Sequence, residues 1–294
     1  MMKPCTAWWL AIRPKTLSVC AVPVVFGTAL AYFEQGHLLW WPALAALLAA
    51  MLIQIGTNLY NDVGDFERGA DTAERLGPPR ATAQAWLSAR AVRRGARAAF
   101  ALALLMGAAL VAWGGWPILL IGILSLISGW AYTGGRWPIA YSLLGELFVL
   151  MFFGVAAVGG TYYLQTFSLS LAALLAGVML GSFAAAVITV NNTRDIPTDA
   201  VVQKRTLAVR LGRSAMNTVY ALELLLPFVL LPWFAVQTNL AWRMALPVIA
   251  GVLAVTLYRR FCAAQGAAFN ALLAATAQLQ WVFAVLLMGA LLFS

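Results

Sequence analysis

Asn191-Asn192-Thr193-Arg194-Asp195-Ile196-Pro197-Thr198-Asp199 closes an apolar run that extends from Leu169 to Val190. An uncharged run of about twenty residues has the length of a membrane-crossing helix. Such a helix satisfies its own backbone where lipid offers no partner. A second stretch of the same kind, Asn58-Leu59-Tyr60-Asn61-Asp62-Val63-Gly64-Asp65, closes the run Ala43–Gly56. Both contain Asn-x-x-x-Asp with another Asp three or four residues on. Of the ten acidic residues in the chain, seven lie in or just beyond these stretches: Asp62, Asp65, Glu67, Asp71, Glu74, Asp195 and Asp199. A membrane protein that gathers its carboxylates at two similar helix ends points to a divalent-metal site.

The rest of the chain agrees with a membrane setting. Its 294 residues are 63% hydrophobic and 10% charged, against roughly 25% charged in soluble domains. The expected fold is all-α, one polytopic domain over residues 1–294. About nine spans are predicted near 17–33, 41–60, 95–113, 116–133, 142–164, 169–192, 214–236, 243–260 and 270–292, surrounding a central cavity. The first run lacks a convincing cleavage site and reads as a retained helix. The net charge of +9 is distributed in a way that argues against nucleic acid. Alternating spans put Lys3, Arg13, Lys15, the arginines between Arg68 and Arg97, Arg136, Arg194, Lys204, Arg205, Arg210, Arg213, Arg259 and Arg260 on one side, and only Arg243 on the other. By the positive-inside rule that side is cytoplasmic, as are the N-terminus, both acidic stretches and the two long loops, Asn61–Arg97 and Arg194–Arg213, that would cap the cavity. The expected location is the bacterial inner membrane. Three scattered cysteines and one histidine, His37 on the opposite face, leave no thiol or imidazole metal set.

Residues three or four apart share a helix face, so Asn58, Asp62 and Asp65 are expected to point together, as are Asn191, Asp195 and Asp199. Pro197 disfavours a helical Ile196, which implies a break or a new first turn there. Facing one another, the clusters supply hard oxygen donors suited to Mg²⁺, which binds through a few carboxylates plus substrate phosphates. A diphosphate held there becomes a good leaving group. Arg136, Tyr132, Lys204, Arg13 and Lys15 are candidates to hold its oxygens or line the cavity, and Asn192 adds a further amide. Glu146 and Glu223 fall inside apolar runs, where an ionisable group points to function by default. Glu146 lies near the cavity end of its span; Glu223 lies deeper, with an interhelical or a catalytic role.

These residues are similar to the UbiA superfamily of intramembrane aromatic prenyltransferases, most of all to its naphthoate-type members. The likeness is carried by Asn58 to Asp71, Gly77-Pro-Pro-Arg80, Asn191 to Asp199, Lys204-Arg-Thr-Leu-Ala-Val-Arg-Leu-Gly212 and Arg13-Pro-Lys-Thr-Leu17. The resemblance implies nine helices around a cavity and Mg²⁺ held by Asp62, Asp65, Asp71, Asp195 and Asp199, with Asp65, Glu67 and Asp71 as alternatives for completing the metal site of the first acidic stretch. It also implies a diphosphate contacted by residues such as Arg80 and Lys204. The implied reaction is transfer of a polyprenyl group from polyprenyl diphosphate to an aromatic acceptor. That acceptor would be 1,4-dihydroxy-2-naphthoate, with loss of its carboxyl group on the route to menaquinone, or else 4-hydroxybenzoate, homogentisate or haem. A transporter also places charge at depth but gives no reason for paired acidic helix ends. A CDP-alcohol phosphotransferase needs an Asp-Gly-x-x-Ala-Arg stretch that this chain lacks.

Overall fold

The computed structural model describes residues 3–71 and 76–292. Glu74 and Arg75 fall outside the described residues. The elements in chain order are α1 (Pro4–Ile12), α2 (Pro14–Gln35), α3 (Trp40–Glu67), α4 (Ala89–Gly114), α5 (Trp116–Ala131), α6 (Gly145–Thr166), α7 (Leu171–Arg194), α8 (Ile196–Val201), α9 (Leu207–Thr238), α10 (Trp242–Ala263) and α11 (Ala268–Leu292). Among the described residues, eight of these helices are long and apolar enough to cross a membrane. The expected ninth span is α5, whose 16 residues fall short of the usual length.

The helix ends follow local chemistry. Ser88, Ser170 and Thr206 accept backbone N–H bonds at the starts of α4, α7 and α9, the usual role of hydroxyl N-caps. Pro197 sits in the first turn of α8, so the chain restarts a helix after Asp195 rather than continuing α7. Gly115, with φ +72°, makes the tight turn between α4 and α5 that L side chains resist. Gly212, also at positive φ, breaks α9 near its start. The short helix α1 precedes the first predicted span and is not foreshadowed by the hydrophobic pattern.

Helix α7 is the centre of the bundle: 72% of its apolar window is buried, against 22% for α4. It packs on α6, α9 and α11. The approach to α6 is very close. A Cβ on Gly154 would lie 2.2 Å from the Gly177 carbonyl oxygen and 2.5 Å from Gly181 Cα. A wider π-type turn over Met151–Ala156 occurs at this contact. Both acidic stretches lie at the same end of the bundle. The opposite end is tied by Gln165, which accepts from the Leu39 N–H at 2.9 Å and donates to the Leu39 carbonyl at 3.0 Å. Trp9, Trp40, Trp41, Trp116 and Trp242 are exposed near helix ends, where interfacial aromatics belong.

Candidate active site

The cavity-facing side of α3 is a stripe of Gln54, Asn58, Asn61 and Asp65, joined by Thr57. Helix α7 contributes Ala184, Val187, Ile188, Asn191 and Asn192, Asp195 follows at the cap between the two helices, and α8 extends the wall with Thr198 and Asp199. The two acidic stretches therefore line one cavity of about 560 Å³. Its polar end also receives Arg13, Arg80, Tyr132 and Lys204. Away from that end the walls are mostly apolar, built by Ala103 to Val111 of α4, Ile118 to Leu126 of α5 (with Ser125 among them) and Phe148, Phe152 and Phe153 of α6.

Tyr141 joins the two halves. Its hydroxyl donates to Asp65 Oδ1 at 3.1 Å, while Lys204 Nζ lies 5.4 Å from its ring centroid and 3.3 Å from Asp199 Oδ1. Burial and the neighbouring Asp65 carboxylate hold the phenol above its usual range, so it stays a donor. Asp65 Oδ2 is gripped by Arg80 at 2.8 Å, and Arg80 also reaches Asp71 at 3.6 Å. Asp195 is held at both oxygens by Arg194, through Nε and Nη2, each at 2.7 Å. Asp199 keeps Oδ2 buried without a hydrogen-bond partner. Desolvation pushes its carboxyl up to about 6, opposed by Lys204 and reinforced by Asp195 and Asp65.

Among the described residues, the wall gathers Asp65, Asp195, Asp199, Asn58, Asn191, Asn192, Tyr132, Arg13, Arg80 and Lys204 from the expected set. Asp62, Asp71, Lys15, Arg136 and Glu146 lie off it. Asp62 is turned toward the capping loop, where its oxygens accept the N–H groups of Ala81 at 3.0 Å and Thr82 at 2.9 Å. Lys15 is exposed, and Arg136 is exposed beside the Trp137 ring. Glu146 is buried and accepts from the wall residue Asn192 at 2.9 Å. Asn58 is braced by the α1–α2 turn, donating to the Ile12 carbonyl and Thr16 Oγ1, each at 2.9 Å. These bonds hold the turn at Arg13, whose φ of +53° is costly for a residue with a side chain. That turn presents Arg13 to the cavity.

Asn61, Arg194 and Tyr141 are not singled out by sequence reasoning. Asn61 and Arg194 stand inside the acidic stretches and could have been taken from them. Tyr141 follows an ordinary turn and carries no local signal.

A divalent ion of the magnesium type fits these residues. The donors are carboxylate and amide oxygens, and Asp199 Oδ2 is a buried oxygen with no partner. Asp65, Asp195 and Asp199 could each contribute oxygens to it beside those of a bound phosphate; among the described residues no three such side chains group closely enough to hold an ion by themselves.

Residues 20–266 match the UbiA prenyltransferase family. The chain belongs to that family. It is 38% identical over 254 residues to a 1,4-dihydroxy-2-naphthoate octaprenyltransferase of Mycobacterium tuberculosis, covering 83% of this chain and 86% of the relative. A protein of the same name from Escherichia coli is 38% identical over 234 residues, covering 78% and 76%. The fold is also that of a UbiA homolog from Archaeoglobus fulgidus solved with GPP and Mg²⁺, with a TM-score of 0.70 at 13% identity over 97% of this chain and 99% of that one. An all-helical integral membrane protein of this family accords with the fold expected from the sequence.

Proposed function

We propose that the protein transfers a polyprenyl group from polyprenyl diphosphate to 1,4-dihydroxy-2-naphthoate, with loss of the carboxyl group as CO₂. One observation carries the reading: both acidic stretches and three cations meet at the polar end of a cavity whose remaining walls are mostly apolar. That is the shape of a molecule with an anionic head and a hydrocarbon tail. The relatives' names supply the acceptor.

Arg13, Arg80 and Lys204 would bind the diphosphate oxygens by charge-assisted hydrogen bonds. When bound, Mg²⁺ supplies charge neutralisation of the leaving diphosphate. The allylic C–O bond breaks with its electron pair leaving on diphosphate, and a π pair of the acceptor ring forms the new C–C bond. The alkylated ring carbon gives up its proton, the ring–carboxylate bond breaks to release CO₂, and the pair left on the ring takes up one proton, which restores the aromatic ring. The apolar side chains of α4, α5 and α6 keep water from the allylic carbon. The basic face with the acidic stretches is read as cytoplasmic, and the membrane as the bacterial inner membrane.

The test is incubation of membranes with a labelled polyprenyl diphosphate and each acceptor in turn, with product identified by mass. A prenylated, decarboxylated naphthoate product is expected, lost on chelation of divalent metal. Product with 4-hydroxybenzoate, homogentisate or haem instead would overturn the acceptor. Diphosphate release with no aromatic product would overturn the transfer itself.

A further inference from the structure

The cavity wall is charge-balanced. On the wall Asp65, Asp195 and Asp199 stand against Arg13, Arg80 and Lys204, and each of these carboxylates is engaged by a cation, Arg80 being shared between Asp65 and the off-wall Asp71. Arg80 holds Asp65 at 2.8 Å, Lys204 holds Asp199 at 3.3 Å, and Arg194 holds Asp195. Arg194 is the most constrained of these. It is only 2% exposed, and it donates to both oxygens of Asp195, to Asn191 Oδ1 at 2.9 Å and to Asn270 Oδ1 at 2.7 Å. Asn270 in turn donates to the Leu76 carbonyl at 2.8 Å. The guanidinium thus ties the second acidic stretch to α11 and to the capping loop.

Affinity for a hard divalent ion rises with the number of uncompensated carboxylates around it. Here the carboxylates are compensated, and among the described residues no three His, Cys, Asp or Glu side chains group closely enough to hold an ion alone. An added dication meets the guanidinium charges at short range in a partly buried setting, where repulsion is weakly screened. A diphosphate reverses that balance, bringing negative charge and oxygen ligands together.

We propose that Arg194 and Arg80 are built-in counter-cations that make metal uptake conditional on diphosphate, Arg194 also being the positioning residue for Asp195 and Asn191. This rests on the reading of the cavity as a diphosphate site. The order of binding follows: the ion enters with its anion rather than before it.

The test uses the purified full-length protein, with Mn²⁺ as the probe titrated by electron paramagnetic resonance, without and with geranyl diphosphate. In the wild type, diphosphate is expected to tighten Mn²⁺ binding at least about tenfold, and Mn²⁺ to tighten diphosphate by the same factor, because coupling is reciprocal. In Arg194→Gln, Mn²⁺ alone should bind on the order of tenfold more tightly, since a nearby positive charge has been removed, and the coupling should shrink. Arg194→Lys keeps the charge but loses the planar fork. It should bind Mn²⁺ alone as the wild type does, yet hold the Mn²⁺–diphosphate pair more weakly. A merely structural arginine would lower the thermal midpoint in both variants without raising metal affinity in either. Unchanged or weaker binding of Mn²⁺ alone in folded Arg194→Gln overturns the proposal, as does wild-type binding that diphosphate does not tighten. If Arg194→Gln does not fold, Arg80→Gln takes its place: tighter binding of Mn²⁺ alone supports the proposal, and unchanged or weaker binding overturns it. Coupled binding of Mn²⁺ and diphosphate without aromatic prenylation would sink the proposed reaction while leaving this inference standing.

Discussion

Asp199→Asn should stabilise the protein while stopping its chemistry. The residue is 6% exposed, and burial raises its carboxyl from 3.8 to about 6. A folded-state value above the unfolded one means that the folded state binds the proton more tightly. Stability from this group is therefore greatest below the unfolded value and is lost as pH rises from about 4 through about 6. At neutral pH the charge costs about two pKa units, or on the order of 3 kcal/mol. Asparagine keeps an oxygen to accept from Lys204 and carries no charge to desolvate. For a chain of this size, 1 kcal/mol moves the thermal midpoint by roughly 2–4 °C, so a gain of several degrees is expected at pH 7.5. The gap should close as pH falls toward 5, where the wild-type carboxyl takes up its proton. The assay is a thermal melt in detergent across that pH range, without divalent metal, paired with prenyl-transfer rates that should be lost in the variant. A midpoint at or below wild type at pH 7.5, or a gap that ignores pH, refutes the reasoning.

Asp62→Ala leaves the Ala81 and Thr82 N–H groups without their acceptor, a loss of about 1–3 kcal/mol for each buried donor left unmade. Limited proteolysis should then cut between residues 76 and 88 and prenyl transfer should fall; an uncut loop with full activity contradicts this. Gly154→Val forces a side chain into backbone atoms of α7 at 2.2 and 2.5 Å, and overpacking typically costs about 1–3 kcal/mol or more. The expected readout is a lowered melting midpoint or loss of a monodisperse species, and a wild-type melt would show that the two helices can separate freely. Gly107 and Gly122 line the apolar end of the cavity, and a Cβ on either would meet nothing within 4 Å. Gly107→Phe and Gly122→Phe should therefore fold but shift selectivity by at least about tenfold from long prenyl diphosphates toward geranyl diphosphate; unchanged kcat/KM ratios would place the tail elsewhere.

Much of this arrangement is legible in the sequence because lipid enforces a simple rule: apolar runs become helices. The turn at Gly115, the restart at Pro197 and the exposed end-of-helix tryptophans all follow from local chemistry. The choice between Asp62 and Asp65 does not. Both lie within one helical turn of each other, and a shared-face rule admits both. At about 100° per residue, Gln54, Asn58, Asn61 and Asp65 form one narrow stripe, and Asp62 sits beside it. Only the fold decides which edge meets the cavity and which meets the loop. That loop is held by long-range packing: Ala81 buries with Leu59, Val63 and Val92, beside Trp8 and Trp86. Arg136 departs from expectation for a related reason, since a charge beside a turn carries no sign of whether the turn faces inward.

The two carboxyls inside the spans sharpen the same point. An ionisable group at membrane depth is expected to have a partner and a purpose, yet the two differ in what they touch. Glu223 of α9 accepts from Thr189 Oγ1 at 2.9 Å, and its backbone carbonyl accepts from Ser182 Oγ at 2.7 Å. Both partners belong to α7, so these bonds clip the central helix to its neighbour. Glu146 sits in the first turn of α6 and takes its hydrogen bond from Asn192, a wall residue beside Asn191 and three before Asp195. Fixing α7 through Glu223 sets its rotation and depth. Fixing Asn192 through Glu146 sets one amide at the polar end of the cavity. The carboxylates that face the cavity stand at helix ends among cations, where a charge is tolerated. Those within the spans instead hold α7, the helix that carries the second acidic stretch, in place.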